Sequence, residues 1–251
     1  DDLHHSDNEG FCISEINKKF GFINQNGEII IEPNFDSILY TYKNGSVCYG
    51  GFDSKGYCLV EVNKKWGAIN RSGEWIFEPT FQELSLFDKQ NFGTAKFNDN
   101  YGIIDRQAKW VINPTFELIE DLNLNVSQGG FNDFGLCGAW ENGKKGFIDI
   151  KGDWKIEPIF DHAFRFDEKG YCCVLVNDKF GIIDSNGNWK LEPILDKEPR
   201  NFWSIYKTVK NWPVNVVTVN NKSGILDGDY NWIVKPDFVF LYYVKKNTFM
   251  A

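Results

Sequence analysis

Short stretches of alternating apolar and polar residues recur along the chain, and they are never long enough for a helix of several turns. In Cys58-Leu59-Val60-Glu61-Val62 apolar side chains fall at every second position, the mark of a half-buried strand. Asn63-Lys64-Lys65 then turns the chain into a second strand, Trp66 to Asn70. Asn70 can hydrogen-bond its own backbone two residues on, and Gly73 supplies the positive φ that a bulged hairpin needs. A third strand carries Trp75 and Phe77 on one face, with Pro79 expected to end it because proline donates no ladder hydrogen bond. Phe81, Leu84 and Leu86 suggest a short fourth strand.

The same sequence of events occurs six times. With Gly21 as origin, a proline lies twelve residues on at Pro33. The pair recurs at Gly67/Pro79, Gly102/Pro114, Gly146/Pro158, Gly181/Pro193 and Gly224/Pro236. Three residues after each origin stand Asn24, Asn70, Asp105, Asp149, Asp184 and Asp227. Eight after it stand Ile29, Trp75, Trp110, Trp154, Trp189 and Trp232, and fourteen after it Phe35, Phe81, Phe116, Phe160, Leu195 and Phe238. The glycine inside the second strand is expected to allow close backbone or aromatic packing. Each tryptophan shares a strand face with an apolar residue two later, so the column is expected to be core rather than a platform for stacking sugars.

The pattern KxGxI(N/D)xxGxWxxxPxF, with KWGAIN at 65–70 followed by SGEWIFEPTF, resembles the bacterial WG-repeat family over nearly the whole chain. Lys145 and Ser223 depart from it where an aromatic should precede the glycine, and Ala108 and Tyr230 replace the second glycine. The resemblance implies an interaction module and carries over no catalytic residue.

Units of about 35–46 residues with four short strands have the size of a propeller blade. The expected fold is therefore all-β: six tandem β-units in a six-bladed propeller-like ring, or alternatively an open β-spiral or solenoid. Origins are spaced 46, 35, 44, 35 and 43 residues apart, so the units also read as three pairs. Residues 1–10 form a polar tail and 11–251 a single repeat domain. The opening Asp1-Asp2-Leu3-His4-His5, without Met or an apolar run, reads as a fragment or processed form.

Charge narrows the partners. The balance is −8 and there is no basic run, which argues against nucleic acid and leaves a basic protein partner open. No stretch approaches the roughly 20 apolar residues of a membrane-spanning helix.

Chemistry-bearing residues are explained by the repeat. Cys12, Cys58, Cys137 and Cys172 all lie nine residues before an origin, which suits small buried side chains and leaves Cys48 and Cys173 over. Equivalent positions a unit apart should be too distant for a disulfide, no CxxC spacing suggests zinc, and reduced thiols lean toward a cytoplasmic setting. Of the adjacent Cys172 and Cys173, strand alternation makes Cys173 the one expected to be accessible. Asp227-Gly228-Asp229-Tyr230-Asn231 imitates a calcium loop but has Trp232 and Phe238 where Gly and Glu are needed. His162 has no nucleophile motif beside it, and Glu32, Glu78, Glu157 and Glu192 repeat with the scaffold. No catalytic residue, metal or cofactor is expected.

The long connections remain: Tyr40, Tyr42, Tyr49 and Phe52 in 40–57, Phe131 and Phe134 in 122–136, and Phe202, Trp203 and Tyr206 in 198–213. Aromatics in loops on a rigid frame suit a recognition surface, expected on one face, unless they only fill gaps between units. The functional expectation is a non-catalytic protein-binding module, in one form an acidic inhibitor or immunity protein for a basic toxin. The alternative is a carbohydrate-binding or cell-surface module using those loops.

Overall fold

The structure, a computed structural model, describes residues 10–39, 41–43, 46–48, 51–88, 90–119, 131–199, 214–239, 241–245 and 248–250. Among them every regular element is a β-strand. The six repeats each form an antiparallel sheet around the origin glycine, and repeat 2 shows the plan: Cys58–Val62, Lys65–Ile69 and Trp75–Phe81 pair in that order. Contacts cluster into two compact units, Asp1–Asn132 with Ile150–Gly152 and Asp133–Asp149 with Asp153–Ala251. The first therefore holds the strands of repeats 1 to 3 and the second those of repeats 4 to 6.

Each hairpin between first and second strands is closed by two residues of positive φ. They are Asn17-Lys18, Asn63-Lys64, Asn98-Asp99, Asn142-Gly143, Asn177-Asp178 and Asn220-Asn221. Two successive left-handed residues make the turn whose twist matches that of the strands, and asparagine tolerates that backbone better than most residues. The second turn follows the expected chemistry. In repeat 2 the Asn70 side chain accepts from the backbone N–H of Ser72 and Glu74 at 2.9 and 3.0 Å, and Gly73 has φ +79°. Ala108 and Tyr230 keep the left-handed backbone at that place, with φ of +61° and +60°.

Proline does not end the third strand. Pro79 lies inside Trp75–Phe81, and the pairing Trp66↔Phe81 and Ala68↔Phe77 shows why. Two steps along the second strand face four along the third, so the third strand bulges outward around Pro79, whose missing N–H is not required there. The bulge folds back over the origin glycine: a Cβ on Gly67 would lie 2.8 Å from Pro79 N and 2.9 Å from the Phe77 carbonyl oxygen. The same backbone approach occurs at Gly21, Gly102, Gly146, Gly181 and Gly224, so the twelve-residue spacing of Gly and Pro is one steric fact.

The fourth strand also differs from expectation, because it joins the sheet of the next repeat. Ser37–Ile38 pairs with Cys58–Val62, Glu83–Leu84 with Gly93–Phe97, and His162–Ala163 with Tyr171–Val176. Each such strand ties one repeat to its successor by backbone hydrogen bonds.

Long and short spacings share one connection. Between repeats 2 and 3, Leu84 leads through Ser85 and Leu86 to Phe87 and Asp88. Between repeats 1 and 2, the hairpin Thr41–Lys43/Ser46–Cys48 is inserted before Phe52 and Asp53, which occupy the same places.

Candidate functional site

The surfaces between repeats account for most of the repeated side chains. Phe35 meets Trp75 of the next repeat edge-on at 6.0 Å, and Phe81 meets Trp110 at 5.6 Å in the same way. An isoleucine ten residues after the origin packs on the second glycine of its successor: Ile31 lies 3.3 Å from a Cβ placed on Gly73, and Ile156 the same distance from one on Gly187. The tryptophans are consequently half-buried rather than largely buried, and Trp75 is 38% exposed. Trp75, Trp110 and Trp189 bridge two repeats at the rim of the interface, where part of the indole stays in water.

A polar clamp reinforces the same joint. Asp36 accepts a hydrogen bond from Lys19 of its own repeat and another, at 2.7 Å, from the backbone N–H of Asn63 in the next hairpin turn. Asp161 with Lys144 and Asn177, and Asp196 with Lys179 and Asn221, repeat it. In each case the lysine, then the backbone N–H, holds the carboxyl below the usual range. The clamp and the asparagine four residues before each origin were missed in the sequence, although both are columns visible there: Asn17, Asn63, Asn98, Asn142, Asn177 and Asn220.

The residues expected to recognise a partner separate into three groups. Phe52 and Phe131 are buried, which corrects their assignment to an exposed surface. They stand fifteen residues before their origins, as Phe87 and Phe166 do, and so belong to the connection common to long and short spacings. Phe52 packs against Phe22 and Phe11, with ring centroids 4.7 and 5.3 Å apart. Phe134 alone is an exposed aromatic on the described surface of these loops, 41% open, against Phe166 at 6.1 Å. The backbone of Tyr42 lies in Thr41–Lys43, whereas Tyr40, Tyr49, Phe202, Trp203 and Tyr206, and with them the expected common face of the three loops, lie outside the described residues.

Cys173 corrects the alternation argument, since it is as buried as Cys172. Both faces of this strand are covered by neighbouring repeats, so alternation sends neither thiol to water, and burial pushes Cys173 up to about 12. Cys12, Cys58, Cys137, Cys172 and Cys173 are all free thiols. Among the described residues no group of three or more His, Cys, Asp or Glu side chains could hold a metal ion. No helix among them is long and apolar enough to cross a membrane.

What the repeat does not explain lies on two third strands of the second unit, Trp154–Phe160 and Trp189–Leu195. The residue thirteen after the origin is polar in four repeats: Asn34, Thr80, Thr115 and Asp237. Thr80 there donates its hydroxyl to the Glu78 carbonyl oxygen at 2.8 Å, satisfying a backbone acceptor of the bulge. In repeats 4 and 5 the position is Ile159 and Ile194, 55% and 36% exposed, which cannot make that bond. Glu157 and Glu192, also exposed, stand two residues before them. Phe160 and Trp189 are in ring contact, so the two strands belong to touching repeats.

The family model of the WG containing repeat matches residues 20–48, 66–101, 101–123 and 146–180. The chain is built of WG repeats. Repeats 1 to 5 thus carry a direct match in part or whole, and repeat 6 shares their strand plan and bulge. No curated protein matches the chain. Among solved structures, Hsv2 of Kluyveromyces lactis is similar at 11% identity and a TM-score of 0.38, over 89% of this chain and 72% of that one. A eukaryotic initiation factor is similar at 10% identity and a TM-score of 0.42, over 90% and 63%. Likenesses this distant carry no argument for a ring or for an open spiral of WG repeats.

Proposed function

We propose that this WG-repeat chain is a non-catalytic protein-recognition module whose partner docks on the third strands of repeats 4 and 5. The observation that carries the reading is the pair Ile159 and Ile194, exposed at a column that is polar in every other repeat. Leaving two isoleucines in water on touching repeats is unfavourable, by about 25 cal/mol for each Å² of apolar surface left uncovered, and a partner that covers them recovers that free energy. The edge of each strand is bulged and carries a proline, so pairing by strand addition is blocked and side chains supply the contact.

Glu157 and Glu192 give the partner its chemistry: apolar side chains flanked by lysine or arginine. The overall balance of −8 steers such a partner toward the chain. An inhibitor of a basic protein is the specific form that fits this surface.

The test uses the immobilised chain to capture proteins from an extract of its source, followed by binding measurements with each purified candidate. Expected is a basic partner whose affinity falls at least tenfold in Ile159→Asp/Ile194→Asp and falls with rising salt. The melting temperature should be unchanged. A partner bound equally well by that double variant would refute the assignment of the surface.

A further inference from the structure

The outward side of the third strand carries the same order of residues in repeats 4 and 5. Along Trp154–Phe160 the outward positions are Lys155, Glu157 and Ile159, and along Trp189–Leu195 they are Lys190, Glu192 and Ile194. Lys190 is half-buried and the other five are exposed. The two repeats touch through Phe160 and Trp189, so matching positions form three short rows running from strand to strand. One row is basic, the next acidic and the third apolar. No other repeat carries this order. Repeat 6, in the same compact unit, has Ile233, Lys235 and Asp237 at those places, which puts a lysine in the acidic column and an aspartate in the apolar one.

The rows differ in what their own chain already does for them. Lys155 pairs with Asp149 at 3.2 Å, and Lys190 donates to Asn231 at 2.8 Å. The basic row is thus held by the fold. Glu157 and Glu192 carry no ion pair among the described residues, and Ile159 and Ile194 stand in water beside them. Two adjacent rows are left open, so a partner must show a basic row next to an apolar row on one side of itself. A single extended strand cannot do this, because successive side chains take opposite faces and each face offers one row. An α-helix can. Its positions i, i+4 and i+7 make one stripe, and the residue following each of them makes a second stripe alongside.

We infer that the partner element is a basic amphipathic α-helix laid across the third strands of repeats 4 and 5. Its apolar stripe covers Ile159 and Ile194, and its lysines or arginines meet Glu157 and Glu192. Lys155 and Lys190 fix the placement, since a helix shifted by one row would bring like charges together. The inference rests on the recognition surface proposed above and adds the form that its partner takes.

The experiment measures fluorescence anisotropy of labelled synthetic peptides about four turns long, held helical by a covalent staple, against the full chain. The first peptide has leucine at i, i+4, i+7 and i+11 with a lysine after each. The second has the same composition, permuted so that leucines and lysines are spread around the helix. Expected is binding of the first at least tenfold tighter than of the second. Ile159→Asp/Ile194→Asp should weaken the first peptide at least tenfold. Glu157→Gln/Glu192→Gln should weaken it at least threefold and flatten its dependence on salt. All four substitutions are at exposed positions, and a thermal melt verifies that both variants stay folded. A first peptide that does not bind, or a permuted one that binds equally well, overturns the helix. So does binding that both double variants leave unchanged. If Ile159→Asp/Ile194→Asp nevertheless loses the partner captured from extract, the helix falls and the recognition surface stands. A captured partner indifferent to that variant removes the surface itself.

Discussion

Phe160 and Trp189 meet edge to face across two successive repeats, with ring centroids 6.1 Å apart and planes at 90°. The same indole reaches the origin glycine of its own repeat, where an added Cβ on Gly181 would lie 2.7 Å from Cζ3 of Trp189. One side chain therefore fixes both the bulge within a repeat and the joint to its neighbour. Three residues of the family pattern, Gly, Trp and Phe, have their common cause in this contact.

Truncating that side chain tests its weight. Trp189→Ala should cost about 3 kcal/mol, the lower end for a large core aromatic, because part of the indole is already in water. Trp75→Ala should cost less, since Trp75 is 38% exposed. Urea unfolding at neutral pH measures both, and equal costs would contradict the view that the Trp column differs in coverage.

The second-glycine column offers a contrast of sign. Ala108 sits at φ +61°, a left-handed backbone unfavourable for a side chain, so Ala108→Gly should stabilise by about 0.5–1 kcal/mol. Tyr230 has the same backbone, yet it is buried and donates to Asp167 at 3.1 Å while its ring packs edge-on against Tyr171 at 5.4 Å. Tyr230→Gly should destabilise by about 3 kcal/mol despite the easier backbone. Paired urea titrations read both signs.

Acid should loosen the joints between repeats. The lysine and backbone partners of Asp36, Asp161 and Asp196 lower the folded-state pKa of all three. A lowered carboxylate contributes stability above its unfolded pKa of about 3.9 and loses it as pH falls through the folded value. The urea midpoint should therefore begin to fall below about pH 4.5. Replacing all three by Asn should lower the midpoint at neutral pH and flatten its fall in acid; an unaltered acid limb would show that other groups control it.

Thiol labelling reports coverage directly. Cys58, Cys137, Cys172 and Cys173 are buried, and burial raises Cys58 and Cys173 above the ordinary thiol range. A covered thiol is out of reach of the reagent, so native alkylation should leave these four unmodified while half-buried Cys12 reacts. Denaturation should make all of them reactive, as mass spectrometry of the labelled peptides would show.

The amino-acid sequence by itself determined the strand plan, the six origins, the turn residues and the WG pattern. These depend on interactions within some 15 residues, where alternation, Asn-capped turns and Gly spacing are local rules. Tertiary structure decided what crosses from one repeat to the next. It placed Pro79 in a bulge instead of at a strand end, because only the second strand opposite it reveals the register shift. It moved Glu83–Leu84 into the following sheet and turned Phe52 and Phe131 from loop aromatics into core. It also covered Cys173, since alternation along a strand says which face a side chain takes and not what lies against that face. Finally, it left Ile159 and Ile194 in water, a fact of packing that hydrophobicity along the chain argues against.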